Sequence, residues 1–414
     1  MPINHQTALD LDAADPLASF REKFVIGDDP IAYLDGNSLG RLPKSTAARL
    51  REVIDQEWGG RLIRGWEEGW VDLPTGVGDL LGEALIGAAA GQTVIADSTS
   101  VNLYKLLHAA AGIRSDRTEI VVDDTNFPTD RYLVESVAAA RGLTVRWIHP
   151  TLEDSVTAEL LDTVLGPETA IVVLSHVDYR SGVLLDLPAM TTQIQAAGAV
   201  VIWDLCHSVG VAPIGLDAAG VDFAVGCTYK YVNAGPGAPA FLYVAERHLA
   251  GISQPITGWW SASDMFAMSG DYVPAASIRK MLSGTANVLG IVAVEEGVKL
   301  IAEAGIGAIR AKSLALTDFE IALVDQWSPT SSDNLVTPRD HAIRGGHVTV
   351  RSPVAREVTQ HLTAHGVVPD FRNPDMIRLG LSPLTTSFAE VYAAFEMASS
   401  FGYTPDEPPD TIAL

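Results

Sequence analysis

The chain has 414 residues, long enough for two domains, and 47% of them are hydrophobic, enough for a sizeable core. Lys and Arg number 28 against 51 Asp and Glu, a net charge of −23, so the surface repels phosphate backbones and anionic lipid and argues against nucleic acid or membrane as partner. No apolar run approaches a membrane span, residues 1–20 lack the basic and apolar regions of a signal peptide, and Cys206 and Cys227 stand outside metal-ligand spacing, so the expectation is a cytoplasmic protein with no metal.

In chain order, Leu17–Phe24 reads as a short helix and Ile31–Leu34 as a small strand. The strand runs into a tight turn, Asp35-Gly36-Asn37-Ser38-Leu39-Gly40. Ser45–Glu57 is a helix with Ala47, Leu50 and Ile54 on one face, and Arg64–Trp70 is an aromatic loop containing Trp66. Leu80–Ala89 reads as a helix and Thr93–Ala96 as a strand. Ser98, Thr99 and Ser100 then precede the apolar-periodic segment Leu103–Ala111, the pattern of a capped helix N-terminus whose free N–H groups suit a phosphate.

Strands at Glu119–Asp123, Thr144–Ile148 and Ala170–Leu174 alternate with helices at Thr129–Arg141, Val156–Leu165 and Pro188–Ala197. That alternation predicts βαβ units, a mainly parallel sheet and an α/β fold. Ser175 and His176 follow the third of these strands, and His176 reads as local structure. Ala238–Val244 is the last strand of the sheet, and a long helical pattern begins at Val288. Gln326–Arg344 is turn-rich, Gly346–Val350 a strand, Pro353–Ala364 a helix and Val367–Phe371 a strand edge. Met376–Leu384 carries Arg378, Glu390–Phe401 is a terminal helix, and a Pro-rich tail follows. The expected large domain spans 60–290, and a discontinuous small domain combines 1–59 with 291–414.

The stretch from Gly198 to Val244 carries the chemistry. Ala199–Trp203 and Val221–Val225 are apolar, β-branched runs, the pattern of strands buried on both faces. The first ends on Asp204 and the second on Gly226-Cys227-Thr228-Tyr229-Lys230. Ligands of open α/β sheets bind at the carboxyl ends of parallel strands, so Asp204, His207, Tyr229 and Lys230 should converge on one crevice. A lysine there, with an aspartate on the neighbouring strand, suggests a Schiff base to pyridoxal phosphate. The lysine holds the aldehyde and the aspartate keeps the pyridine nitrogen protonated.

Asp-x-x-His-Ser at 204–208 followed by Tyr-Lys-Tyr-x-Asn-x-Gly-x-Gly at 229–237 resembles kynureninase, a pyridoxal phosphate enzyme of the aspartate aminotransferase fold, type I. The resemblance covers most of the chain from about Tyr33 to Leu384. It implies a large domain with a mainly parallel seven-stranded sheet and a smaller α+β domain. Phe127-Pro128-Thr129-Asp130 matches the family's Phe-Pro-Ser/Thr-Asp signature, which implies Phe127 on the pyridine face and Asp130 beside Asp204. The phosphate is implied at Thr99 and Ser100, with Ser175, His207 and Tyr229 around the cofactor. Trp259, in a Gly-Trp motif, and Thr285 are implied to reach the cofactor from the partner of a homodimer. Asn37, Ser38, Trp66, Gly284 and Arg378 are implied to meet substrate, Arg378 forking the α-carboxylate and Trp66 bordering the aryl ring.

The implied reaction is hydrolysis of L-kynurenine to anthranilate and L-alanine in tryptophan catabolism, the kynurenine pathway that also feeds NAD biosynthesis. A second candidate substrate is 3-hydroxykynurenine. Lys230, Tyr229 and Asp204 are the implied catalytic residues. Another type I enzyme is the rival reading. A cysteine desulfurase-like lyase would need a reactive cysteine on a small-domain loop, and none follows Cys227, whereas an aminotransferase shares the core equipment.

Overall fold

A computed structural model describes residues 2–27, 31–327 and 334–399. Its strands are β1 (Ala32–Tyr33), β2 (Thr93–Ala96), β3 (Glu119–Asp123), β4 (Thr144–Ile148), β5 (Thr169–Ser175), β6 (Val200–Asp204), β7 (Phe223–Gly226) and β8 (Ala240–Val244), then β9 (His347–Arg351), β10 (Val367–Val368), β11 (Asp370–Arg372) and β12 (Met376–Gly380). A seven-stranded sheet has the order β2-β8-β7-β6-β5-β3-β4. All of its pairs are parallel except those of β8, which runs against both β7 and β2. Reversing twice leaves β2 pointing the same way as the parallel strands. The carboxyl ends of β2, β3, β5, β6 and β7 therefore open on one edge of the sheet, and register sets Ser175 beside Asp204 there.

Helices cover both faces, so the central strands are apolar on both sides. Val201 and Trp203 of β6 pack with Leu81, Ile86 and Ile194 on one face. Val200 and Ile202 of the same strand pack with Leu103, Leu106 and Val134 on the other. The edge strand β4 instead exposes Thr144 and Arg146. A second, antiparallel sheet has the order β11-β12-β9, and β1 pairs in parallel with β10, joining early and late parts of the chain.

Two sequence-based expectations are corrected. The helix expected over Leu80–Ala89 begins at Leu73 and runs through Leu81 into a π turn ending at Ile86. Pro74 sits in its first turn, where no N–H is needed, and Gly78 lies so close to β2 that a Cβ would stand 2.3 Å from the Thr93 carbonyl oxygen. Residues that read as loop formers are thus the contact surface of a helix on a strand. The strand expected over Val367–Phe371 is two, because β10 pairs with β1 and β11 with β12. The terminal helix spans Phe388–Ser399, and the rest of its expected length and the Pro-rich tail lie outside the described residues, as do 328–333 of the turn-rich segment.

The long helix Val288–Ala304 braces the lysine loop through Gly297, where a Cβ would stand 2.0 Å from the Val232 carbonyl oxygen. Gly297→Ala is expected to push that loop away and cost about 1–3 kcal/mol, read as a lower urea midpoint. Helix Ile306–Trp327 carries Glu320, fully buried and with neither carboxylate oxygen hydrogen-bonded. Burial pushes its carboxyl well above the ordinary range. Its contribution to stability is therefore complete below the unfolded value, about 4.3, and declines as pH rises through the raised folded one. Glu320→Gln is expected to raise the melting temperature more at about pH 8 than at about pH 5.

Candidate active site

One crevice opens at the shared edge of the large sheet, with about 660 Å³ of open space including its mouth. Ten of the twelve residues expected around the cofactor line it: Thr99, Ser100, Phe127, Thr129, Asp130, Ser175, Asp204, His207, Tyr229 and Lys230. Each arrives from a strand end or the first turn of a helix. β2 feeds the helix Thr99–Ile113 through Asp97, which holds a left-handed φ of +45°, and Ser98, whose Oγ accepts from Val101 N at 3.3 Å. The N–H groups of Thr99 and Ser100 come before any intrahelical acceptor and stay free to bind an anion, aided by the helix dipole. β3 leads to the helix Pro128–Arg141, whose first turn presents Thr129 and Asp130.

Asp204 is the last residue of β6, and its Oδ1 accepts from Cys206 N at 2.6 Å. Asp130 is 1% exposed, and its Oδ2 is buried without a hydrogen-bond partner. Burial, and then the charge of Asp204, push the Asp130 carboxyl well above its ordinary range. The two carboxyls therefore form an acid–anion pair, in which the proton kept by Asp130 faces the Asp204 carboxylate.

Lys230 Nζ lies 2.8 Å from His207 Nε2 and 6.0 Å from the ring centroids of both Phe127 and Tyr229. Burial, and then the Lys230 charge, push His207 well below its ordinary value, so its imidazole is neutral. Burial likewise raises the Tyr229 phenol, which keeps its proton. Ser175 Oγ donates to Asn126 Oδ1 at 2.9 Å, and that oxygen also accepts from Phe127 N at 2.7 Å. Thus Ser175 fixes the backbone that carries the Phe127 ring.

Arg378 lies just behind this wall, fully buried on β12. It donates to the Tyr179 carbonyl and to Ser38 Oγ, each at 2.7 Å, and pairs with Asp370 at 2.6 Å. With its amide turned to donate to Asp35 Oδ1, Asn37 accepts from Arg378 Nε at 3.2 Å. The turn carrying Asn37 and Ser38 is tied in turn to the lysine loop, since Gly40 N donates to the Tyr229 carbonyl at 2.8 Å. Asn37, Ser38 and Arg378, remote in sequence, thus form one cluster beside Lys230.

Seven expected site residues do not line the crevice: Asn37, Ser38 and Arg378 form the cluster just described, and Trp66, Trp259, Gly284 and Thr285 stand apart from it in a single chain. Trp66 packs edge to face on Trp70 (5.2 Å) and on Trp260 (5.3 Å). Trp259 packs on Trp260 (5.1 Å) and Phe266 (6.1 Å), and Gly284 and Thr285 are exposed. Sequence reasoning missed Tyr179, which lines the crevice, meets the Phe127 ring edge to face at 5.4 Å and offers its carbonyl to Arg378. Its signal was position, four residues past the carboxyl end of β5. Asn126 was missed as well, although it precedes the Phe-Pro-Thr-Asp run.

The chain is 42% identical to a kynureninase from Pseudomonas fluorescens over 396 residues, covering 94% of this chain and 93% of that one. It is 43% identical to a kynureninase from Burkholderia pseudomallei strain 1106a over 398 residues, 94% of each. The chain belongs to the kynureninase family. Residues 309–397 match the model of the kynureninase C-terminal domain. Among solved structures, the apo cysteine desulfurase of Thermococcus onnurineus NA1 superposes with a TM-score of 0.78 at 18% identity, covering 92% of this chain and 97% of that one. The cystine C–S lyase C-DES, solved with cysteine persulfide, gives 0.76 at 20% identity, covering 91% and 99%. At those identities the likeness is one of fold, and the kynureninase family member described here has the type I fold of pyridoxal phosphate enzymes.

Proposed function

We propose that this crevice holds pyridoxal 5′-phosphate on Lys230 and hydrolyses the Cβ–Cγ bond of L-kynurenine, giving anthranilate and L-alanine. The observation that carries the reading is the convergence of a lysine amine, an acid–anion carboxyl pair and a free helix N-terminus on one crevice. The groups fit the cofactor. The unpartnered Asp130 Oδ2 with Asp204 suits a pyridinium N–H, the Thr99 and Ser100 N–H groups suit the phosphate, and Phe127 suits the ring face. When bound, the cofactor supplies an electron sink conjugated to the substrate amine.

The chain's own groups do the rest. Lys230 would hold the cofactor aldehyde, and its amine, when free beside the bound substrate, is placed to take the Cα proton. Asp204 and Asp130 keep a proton at the ring nitrogen. Water adds to the γ-carbonyl, so the acyl carbon departs as the carboxylate of anthranilate when the Cβ–Cγ bond opens, and Tyr229, still protonated, is the donor for Cβ, which becomes the methyl of L-alanine. Arg378, steadied by Ser38 and Asn37, takes the substrate carboxylate in exchange for part of its bonding to Asp370. The test is to mix purified protein with L-kynurenine and follow anthranilate fluorescence, with 3-hydroxykynurenine alongside. A yellow, cofactor-loaded protein that yields no fluorescence overturns the substrate assignment.

The same reading makes the protein a homodimer. Trp58, Leu62, Ile63, Phe266, Met268 and Val273 are exposed apolar residues. The Trp66–Trp260–Trp259–Phe266 contacts tie the two segments that carry them into one face. A second copy on that face would cover it and bring Trp259, Thr285, Gly284 and Trp66 toward the crevice. Sedimentation is expected to give twice the chain mass of 44.0 kDa. Phe266→Glu is expected to give monomers that bind cofactor more weakly. The two buried thiols, Cys206 and Cys227, are not joined in a disulfide and suit the reducing cytoplasm.

A further inference from the structure

His207 lacks the usual device that orients a working histidine. A ring nitrogen that faces a reactive group is ordinarily aimed by a hydrogen bond at the other nitrogen, to a carbonyl or carboxylate. Here Nε2 faces Lys230 Nζ at 2.8 Å, while Nδ1 is buried and unpartnered. What meets the ring is His347, the first residue of β9, at a centroid distance of 5.8 Å and an interplanar angle of 64°. His347 is itself fully buried, and neither of its ring nitrogens has a partner at hydrogen-bond distance, the Arg180 backbone being the polar group that approaches it.

Packing holds His347 in turn. Gly182, at φ +77°, lies so close that a Cβ would stand 3.2 Å from its Nε2. Register sets His347 opposite Gly380, two residues beyond Arg378 on β12. The Lys230, Arg378 and Arg372 cations face both rings. Asp370 and Asp35 offset Arg378, while Asp204 and Asp130 lie toward Lys230. Buried among those cations, both imidazoles are neutral. A neutral imidazole that accepts from an amine at Nε2 carries its proton on Nδ1.

We propose that His347 is a positioning residue whose ring, reaching over from the Arg378 sheet, fixes the rotation of His207 so that Nε2 accepts from the Lys230 amine. The proposal rests on the role of Lys230 given above. It joins the strand that takes the substrate carboxylate to the amine that moves the proton, through two rings in edge-to-face contact rather than a chain of hydrogen bonds.

Two measurements decide it. The first uses the apoprotein without substrate, so it is independent of the substrate assignment. Imidazole ¹⁵N spectra are expected to show His207 as the neutral Nδ1–H tautomer from about pH 6 to about pH 8, given burial beside Lys230. A His207 cation, or the Nε2–H tautomer, overturns the proposal. The second is a double-mutant cycle in the holoenzyme. His347→Ala is expected to lower kcat about tenfold with KM within about twofold, and to cost less than about twofold in a His207→Ala background. His347→Phe, which keeps a ring but no nitrogen, is expected to restore most of kcat. If His347 merely braces β9, KM rises instead and the loss persists without His207, which overturns the role. Should His347→Ala not fold, His347→Phe set against His347→Gln replaces it: the Phe variant is expected to be the more active, and the reverse order overturns the proposal.

Discussion

Lys230→Ala is expected to reduce kcat by about 10³-fold or more, because it removes both the anchor for the cofactor and the base for the Cα proton. The rest of the crevice does not depend on the lysine. The free N–H groups at Thr99 and Ser100, the Asp130–Asp204 pair and the Phe127 ring all come from other elements. The variant is therefore expected to fold, with a urea midpoint close to that of the unsubstituted chain, and to bind pyridoxal phosphate without a covalent link. Two readouts separate this from general damage. The visible absorbance of the lysine-linked cofactor disappears while bound phosphate remains, and a small primary amine added in solution restores part of the rate. A Lys230→Ala protein that keeps its visible band, or turns over within tenfold of normal, removes Lys230 from the centre of the mechanism.

The crevice was legible in the sequence because each step from residues to place is local. Val200–Asp204 is a β-branched run ending on a carboxylate, and a buried parallel strand can end its apolar run only where the sheet ends. The lysine, the aspartate and the capped helix therefore share an edge once the strands are known to be parallel. The meeting of Arg378 with Ser38 is different in kind, for 340 residues separate them and no periodicity connects them. Family resemblance placed each of them against the substrate, and only the structure shows that they touch. The helix begins at Leu73, ahead of the expected Leu80, because Pro74, Gly76 and Gly78 hide its periodicity, whereas Gly78 is what lets the helix lie against β2. Tyr179 and His347 escaped for the same reason as each other. A tyrosine in a turn and a histidine opening a strand are usually ordinary packing, and only the opposing sheet gives them a site to serve.

Asp204 and Asp130 should not be equal, and the inequality is the second large expectation. Burial and the neighbouring charge of Asp204 hold Asp130 in its neutral form. An asparagine at 130 thus keeps the charge state of the native residue and nearly its shape, and Asp130→Asn is expected to cost less than about tenfold in kcat. Asp204 supplies the anion that keeps a proton on the pyridine nitrogen, so Asp204→Asn removes the charge on which the electron sink depends. That loss is expected to be about 10³-fold in kcat, the scale of one buried electrostatic partner at a reacting group. Some compensation is built in. Without the Asp204 charge, the Asp130 carboxyl is easier to ionise, although burial, the larger of the two causes, still opposes it. The double variant is accordingly expected to fall below Asp204→Asn alone, and its bound cofactor to absorb as the unprotonated pyridine. Equal losses at the two positions, or a larger loss at Asp130, would mean that the proton sits on the other carboxyl and that the pair is arranged the opposite way round.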